Sequence, residues 1–277
     1  MSETFVSVGA TLSFHDSGSG LPILFLHPTP LDHRYWLPLI DLLPGIRAIA
    51  PDLRGHGASQ LGVTLPVGEF SLVPNAPVLT MARLAEDTLA LMDHLGLQSA
   101  VFAGCSIGGY MLMELWRQAP ERIRGLAIVC SKPQPDADAN RQKRATTIAQ
   151  ARSGALAAIY DGNAQTLIGA TARARTPHIV PELRSEMTLT AEALVAVQAG
   201  LATRPDSIPT VATITVPVLA IAGGEDPVIT PAEMAVFHSA PGGCHFHLLP
   251  DAGHLAAYEQ PAAVAAFFAP WLQQFQS

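Results

Sequence analysis

The sequence predicts an α/β fold: a mostly parallel, eight-stranded sheet with helices on both faces. Three observations carry that prediction. Short, nearly continuous apolar runs recur along the chain, as strands buried on both faces require. Stretches with apolar residues three and four positions apart follow most of these runs, which is the period of a helix. Each run also stops at a turn signal, and strands alternating with helices in this way build a parallel sheet.

The elements follow in order. Phe5 to Val8 and Thr11 to His15 flank Gly9-Ala10 and read as an opening hairpin. Ile23 to Leu26 ends at His27-Pro28-Thr29-Pro30, and Arg47 to Ala50 ends at Pro51-Asp52-Leu53-Arg54-Gly55-His56-Gly57. Ala100 to Ala103 leads into Gly104-Cys105-Ser106-Ile107-Gly108-Gly109, and Leu126 to Val129 into Ser131-Lys132-Pro133. Val218 to Ile221 ends at Gly223-Gly224-Glu225-Asp226-Pro227, and Phe246 to Leu249 at Pro250-Asp251-Ala252-Gly253-His254. Helical periodicity runs over Met81 to Leu95, Ile107 to Ala119 and Ala262 to Phe275.

Two segments break the alternation. From Pro133 to about Ser207 no strand pattern appears, and the Ala/Arg/Thr-rich stretch has helical periodicity. It reads as a helical cap (133–207) inserted between the sixth and seventh strands of a core formed by 1–132 and 208–277. Residues 61–79 form a long, Pro-containing connection whose apolar residues suit packing over a site.

Composition narrows the function. Of 277 residues, 49% are hydrophobic and 14% charged, enough apolar material for a large core. A net charge of −7 argues against a nucleic-acid binder, which needs a basic face to displace phosphate counterions. No signal peptide and no membrane-spanning run is evident, and three widely spaced cysteines suit reduced thiols. A cytoplasmic protein that meets a small-molecule substrate, and neither nucleic acid nor membrane, is expected; composition leaves open whether it is a monomer or a homodimer.

In open α/β sheets ligands bind beyond the carboxyl ends of the strands. His27, Asp52, Ser106, Asp226 and His254 all fall there. Gly104-x-Ser106-x-Gly108, between an apolar strand and a helix, fits a turn that lifts a serine hydroxyl above the sheet. The hydroxyl needs a base and the base an orienting acid. His254 and Asp226 follow the last two strands and complete the chain order Ser, Asp, His. Asp136 is the main substitute for the acid and Glu225 a weaker one. Two backbone N–H groups must receive the oxyanion. Ile107 follows the nucleophile, and Thr29 is the one donor between two prolines, which lack an N–H.

Over nearly its whole length the chain resembles the α/β-hydrolase superfamily, through LFLHPTPLDHRYW, APDLRGHGAS, FAGCSIGGYMLMELWRQAPERIRGLAIV, VPVLAIAGGEDPVITP and LPDAGHLAAYEQP. The pattern is most similar to small esterases, enol-lactonases and cofactor-free perhydrolases. Relatives often have His-Gly-x-Pro where this chain has His27-Pro28-Thr29-Pro30. The resemblance implies hydrolysis of an ester or lactone, and the apolar character of the cap and of the 61–79 connection suggests a small-to-medium, largely apolar substrate. Carbon–carbon hydrolysis, perhydrolysis, acyl transfer and ligand binding with little turnover stay open beside it.

Pocket candidates are His27, Pro30, Tyr35, Phe70, Cys105, Tyr160 and Leu255, although His27 and His56 also read as loop braces. Asp32 reads as a helix N-cap. His245 and His247 share a strand face but have no accompanying Cys or carboxylate pattern, so neither metal nor cofactor is expected.

Overall fold

The computed structural model describes residues 3–63 and 76–276. Residues 64–75, and with them Phe70 and most of the 61–79 connection, lie outside that description. Eight strands form one sheet: β1 (Glu3–Ser7), β2 (Ala10–Gly18), β3 (Leu21–Leu26), β4 (Ile46–Pro51), β5 (Ala100–Cys105), β6 (Ile123–Val129), β7 (Val218–Gly223) and β8 (Cys244–Leu249). Their spatial order is β1-β2-β4-β3-β5-β6-β7-β8. The opening hairpin pairs antiparallel, β2 also joins β4 antiparallel, and every pair from β4 to β8 is parallel.

The burial patterns follow from that order. β5 and β7 are buried at every position, as interior parallel strands covered on both faces must be. β8, on the edge, is mostly exposed or partly covered, only Leu249 being buried, and His247 stacks on Phe267 at 4.0 Å. Helix Met81–His94 buries Met81, Leu84, Ala85, Thr88, Leu91 and Met92, one face at three-and-four spacing. It starts where the Thr80 side chain accepts from Arg83 N–H, a bond that satisfies one orphan donor of the first turn.

The same helix face carries an acid, Asp87, and it is not left unpaired. Arg54, from the loop after β4, donates to both its oxygens at 2.7 and 2.6 Å, and Ser7 Oγ donates at 2.6 Å. Arg54 also donates to the carbonyls of Ser7 and Leu61. This buried pair fastens the Arg54–Gly57 loop to the core. Removing one member strands the other charge, so Asp87→Ala is expected to cost about 3–5 kcal/mol in urea unfolding. A loss below about 1 kcal/mol would show that the pair is not sealed from water.

Between β6 and β7 the chain forms helices Asp138–Arg152, Leu156–Leu167, Ala170–Arg175, Ile179–Glu186 and Ala191–Ala202, with no strand among its residues. The last of these docks on the connection before helix Met81–His94, where Leu79 N–H donates to Ala196 O at 3.0 Å. Among the described residues no helix is long and apolar enough to cross a membrane.

Candidate active site

Ser106 stands where β5 turns into helix Ile107–Gln118, with φ +52° and ψ −114°. A side chain rarely adopts such a conformation, and its neighbours hold it there. Ser106 N–H donates to Val129 O at 3.2 Å, while its carbonyl accepts from Ser131 Oγ at 2.8 Å and Tyr110 N–H at 3.1 Å. The flanking glycines are sterically required. A Cβ on Gly104 would lie 2.5 Å from the Gly108 carbonyl, and one on Gly108 would lie 2.1 Å from Leu26 O. The hydroxyl therefore sits at a helix N-terminus, whose dipole favours developing negative charge.

His254 follows β8, and its Nδ1 lies 2.8 Å from Asp226 Oδ2. The other carboxylate oxygen, Oδ1, accepts from the N–H groups of Val228 (2.7 Å) and Ile229 (3.0 Å). Asp226 is thus held by its own turn and presents one oxygen to the imidazole. An acceptor-only carboxylate there places the proton on Nδ1 and frees Nε2 as a base. The two substitute acids are engaged elsewhere. Asp136 bonds Arg144 and, at 2.6 Å, Arg204; Glu225 accepts from Thr171 N–H and Oγ1.

Burial alone would push the Asp136 carboxyl up, but the two guanidinium groups hold it below the usual aspartate range. A depressed pKa contributes stability above the unfolded value of 3.8, lost as pH falls through the folded one. The Tm deficit of Asp136→Asn at pH 7 is therefore expected to shrink as pH falls below 3.8. A deficit independent of pH would contradict it.

The loop after β3 is braced by two histidines. His27 donates through Nδ1 to Pro28 O (3.0 Å), and its Nε2 accepts from Leu53 N–H (2.9 Å). His56 donates through Nδ1 to Arg54 O, which leaves Nε2 to accept from Thr29 Oγ1 at 3.1 Å. Both rings are fully buried, and burial pushes both down, His56 to about 3, so they stay neutral. Thr29 accordingly spends its hydroxyl on the brace. Among the described residues neither Thr29 N–H nor Ile107 N–H donates to another protein group.

The remaining pocket candidates separate. His27 is 0% exposed and has both ring nitrogens engaged in the loop brace. Tyr160 donates its hydroxyl to Leu189 O inside the helical segment. Tyr35 lies in the core, its ring centroid 4.8 Å from that of Trp36. Pro30 and Leu255 are buried beside Thr29 and His254. Cys105 is buried, its thiol pushed up by burial and so a poor nucleophile. Cys105 Sγ faces His254 O at 3.7 Å and Cys130 Sγ faces Gly253 O at 3.6 Å. Both thiols thus back the histidine loop, a juxtaposition of strand ends that spacing along the chain does not display.

Asp32 caps the turn His33–Trp36 by accepting from Arg34 N–H. With His33 and Asp52 it forms one cluster with metal-like spacing. Its members are already paired, Asp32 with the Arg34 guanidinium and Asp52 with His33 and Ala58 N–H.

Comparison with known proteins adds the last observation. Residues 22–261 match the family described as the alpha/beta hydrolase fold. The chain is 30% identical over 231 residues to 3-oxoadipate enol-lactonase 2 of Acinetobacter baylyi, covering 78% of this chain and 74% of that one. Among solved structures it is similar to a thermophilic esterase from Thermogutta terrifontis, with TM-score 0.89, 29% identity and 100% of both chains covered. It shares its fold with the enol-lactonase from Burkholderia xenovorans LB400, with TM-score 0.85, 23% identity, and 98% of this chain and 100% of that one covered.

Proposed function

The chain belongs to the alpha/beta hydrolase fold family and is an enzyme; from that premise we propose that it is a serine hydrolase of esters or lactones. The observation that carries the reading is the 2.8 Å bond from His254 to an Asp226 held by its own turn, with Ser106 at positive φ at the end of β5 in the same sheet.

His254 Nε2 takes the hydroxyl proton as Ser106 Oγ attacks the carbonyl carbon. The carbonyl π pair moves onto oxygen, and the N–H groups of Ile107 and Thr29 stabilise that oxyanion. Collapse breaks the acyl–oxygen bond, and the imidazolium returns its proton to the departing alkoxide. In a lactone the alkoxide stays tethered to the acyl group. His254 then deprotonates water as it attacks the acyl-enzyme, and on collapse the imidazolium returns that proton to the departing Ser106 Oγ, releasing the acid. Asp226 stays ionised and stabilises the imidazolium.

The helical segment 133–207 serves as a cap over the strand ends. The apolar surroundings of the site, with Leu255, Ile107 and Pro30 buried beside the acting groups, support a small-to-medium and largely apolar acyl group. The relatives named as esterase and enol-lactonase support the same bond types. A panel of p-nitrophenyl esters and aliphatic lactones tests the reading. Turnover with a pre-steady-state burst, abolished in His254→Ala, is expected. Hydrolysis that His254→Ala leaves intact would overturn it.

A further inference from the structure

Glu259 takes no part in the steps above, yet its carboxylate gathers three backbone N–H groups. Oε2 accepts from Gly253 at 2.9 Å and from Gly169 at 3.0 Å, and Oε1 accepts from Leu255 at 3.1 Å. Gly253 and Leu255 are the two neighbours of His254, so a single side chain grips the backbone on either side of the imidazole. Gly169 belongs to the helical segment between β6 and β7, and its N–H comes from 90 residues away in sequence. His254 N–H itself donates to Leu167 O in that segment at 2.9 Å.

The two backbones touch with no room between them. A Cβ on Gly253 would stand 2.3 Å from Gly169 N, and one on Gly169 would stand 2.8 Å from Gly253 N. A second carboxylate runs parallel to the first: Glu225, beside Asp226, accepts from Thr171 N–H (2.9 Å) and Thr171 Oγ1 (2.6 Å). Residues 167–171 are thereby bonded both to the loop bearing Asp226 and to the loop bearing His254. A residue serving only as a cap for the short helix Ala256–Glu259 would bond Gly253 and Leu255, and would not need the N–H of Gly169.

We propose that Glu259 is a positioning residue that clamps the His254 loop to the 167–171 segment, so that the base is in reach of Ser106 only while that segment is docked. The proposal rests on the reading of His254 as general base. Burial pushes the Glu259 carboxyl up, while the three N–H groups and His254 oppose that rise. The anion is the form that accepts all three bonds. Loosening them leaves the imidazole free to drift, and a displacement of about 1 Å at a catalytic group costs roughly 10²-fold in rate.

The test uses the full chain and p-nitrophenyl acetate. Glu259→Gln keeps the shape but turns one acceptor into a donor facing an N–H. Its kcat is expected to fall by about tenfold to 10²-fold with KM within about twofold, because binding is untouched and the base is misplaced. Gly169→Ala attacks the same contact from the other side, its Cβ also meeting Glu225 Oε2 at 2.6 Å, and is expected to lower kcat likewise. The double variant should be no slower than the slower single, since one clamp is broken twice. Wild-type kcat in both singles, or losses that multiply in the double, would overturn the clamp. If Glu259→Gln does not fold, Gly169→Ala decides alone. Ser106→Ala and His254→Ala are run alongside. Their inactivity with wild-type kcat in both clamp variants sinks the clamp alone, whereas their retained activity sinks the hydrolase reading.

Discussion

Ser106→Ala is expected to lower turnover of a p-nitrophenyl ester by on the order of 10⁶-fold while leaving the unfolding transition unchanged. In the proposed reaction the hydroxyl supplies the bond that splits it into acylation and deacylation. The thiol adjacent in sequence, Cys105 Sγ, is buried, faces the His254 carbonyl, and is pushed up by burial. Water activated directly by His254 would leave a residue of activity, because the oxyanion donors and the base survive. A fall of less than tenfold would show that bond making occurs elsewhere.

Asp226→Asn is expected to lower kcat by about 10⁴-fold, and the reason lies in the turn that holds the side chain. Oδ1 accepts from the N–H groups of Val228 and Ile229, so in the variant that position must remain the amide oxygen. The amide nitrogen is then forced toward His254 Nδ1, where it donates. An imidazole that accepts at Nδ1 carries its proton on Nε2 and can no longer take one from Ser106. Asp226→Ala lacks that forced donor and is expected to retain more activity than the isosteric variant. If Asn proved no slower than Ala, the tautomer would not be what Asp226 sets. Steady-state kinetics on the two variants at one pH decide it.

The strands were legible in the chain because buried parallel strands leave near-continuous apolar runs. Ile23 to Leu26, Ala100 to Ala103 and Val218 to Ile221 fall inside β3, β5 and β7. Helix ends fell within a residue or two of expectation where a cap marked them, as at Thr80. The spatial order of the strands was not legible, since it depends on which runs pair across long stretches of chain. The same holds for side chains whose partners are remote in sequence. His27 sits at a strand end like Asp226, and only the position of Leu53 N–H shows that its ring is already occupied. Asp87 reads as the polar flank of an amphipathic helix until Arg54 is placed against it. Glu259 follows His254 by five residues, but its bond to Gly169 requires the insertion to be folded back onto the core.

The central claim is that Ser106, activated through His254, is the nucleophile. Reaction of the intact protein with a fluorophosphonate, followed by mass spectrometry of its peptides, tests this most directly. One phosphonyl group is predicted per chain, carried on Ser106 and absent from Ser106→Ala. Its rate of formation should fall sharply in His254→Ala. A hydrolytically active protein that takes no label, or one that carries it on Cys105 or any residue other than Ser106, would contradict the assignment.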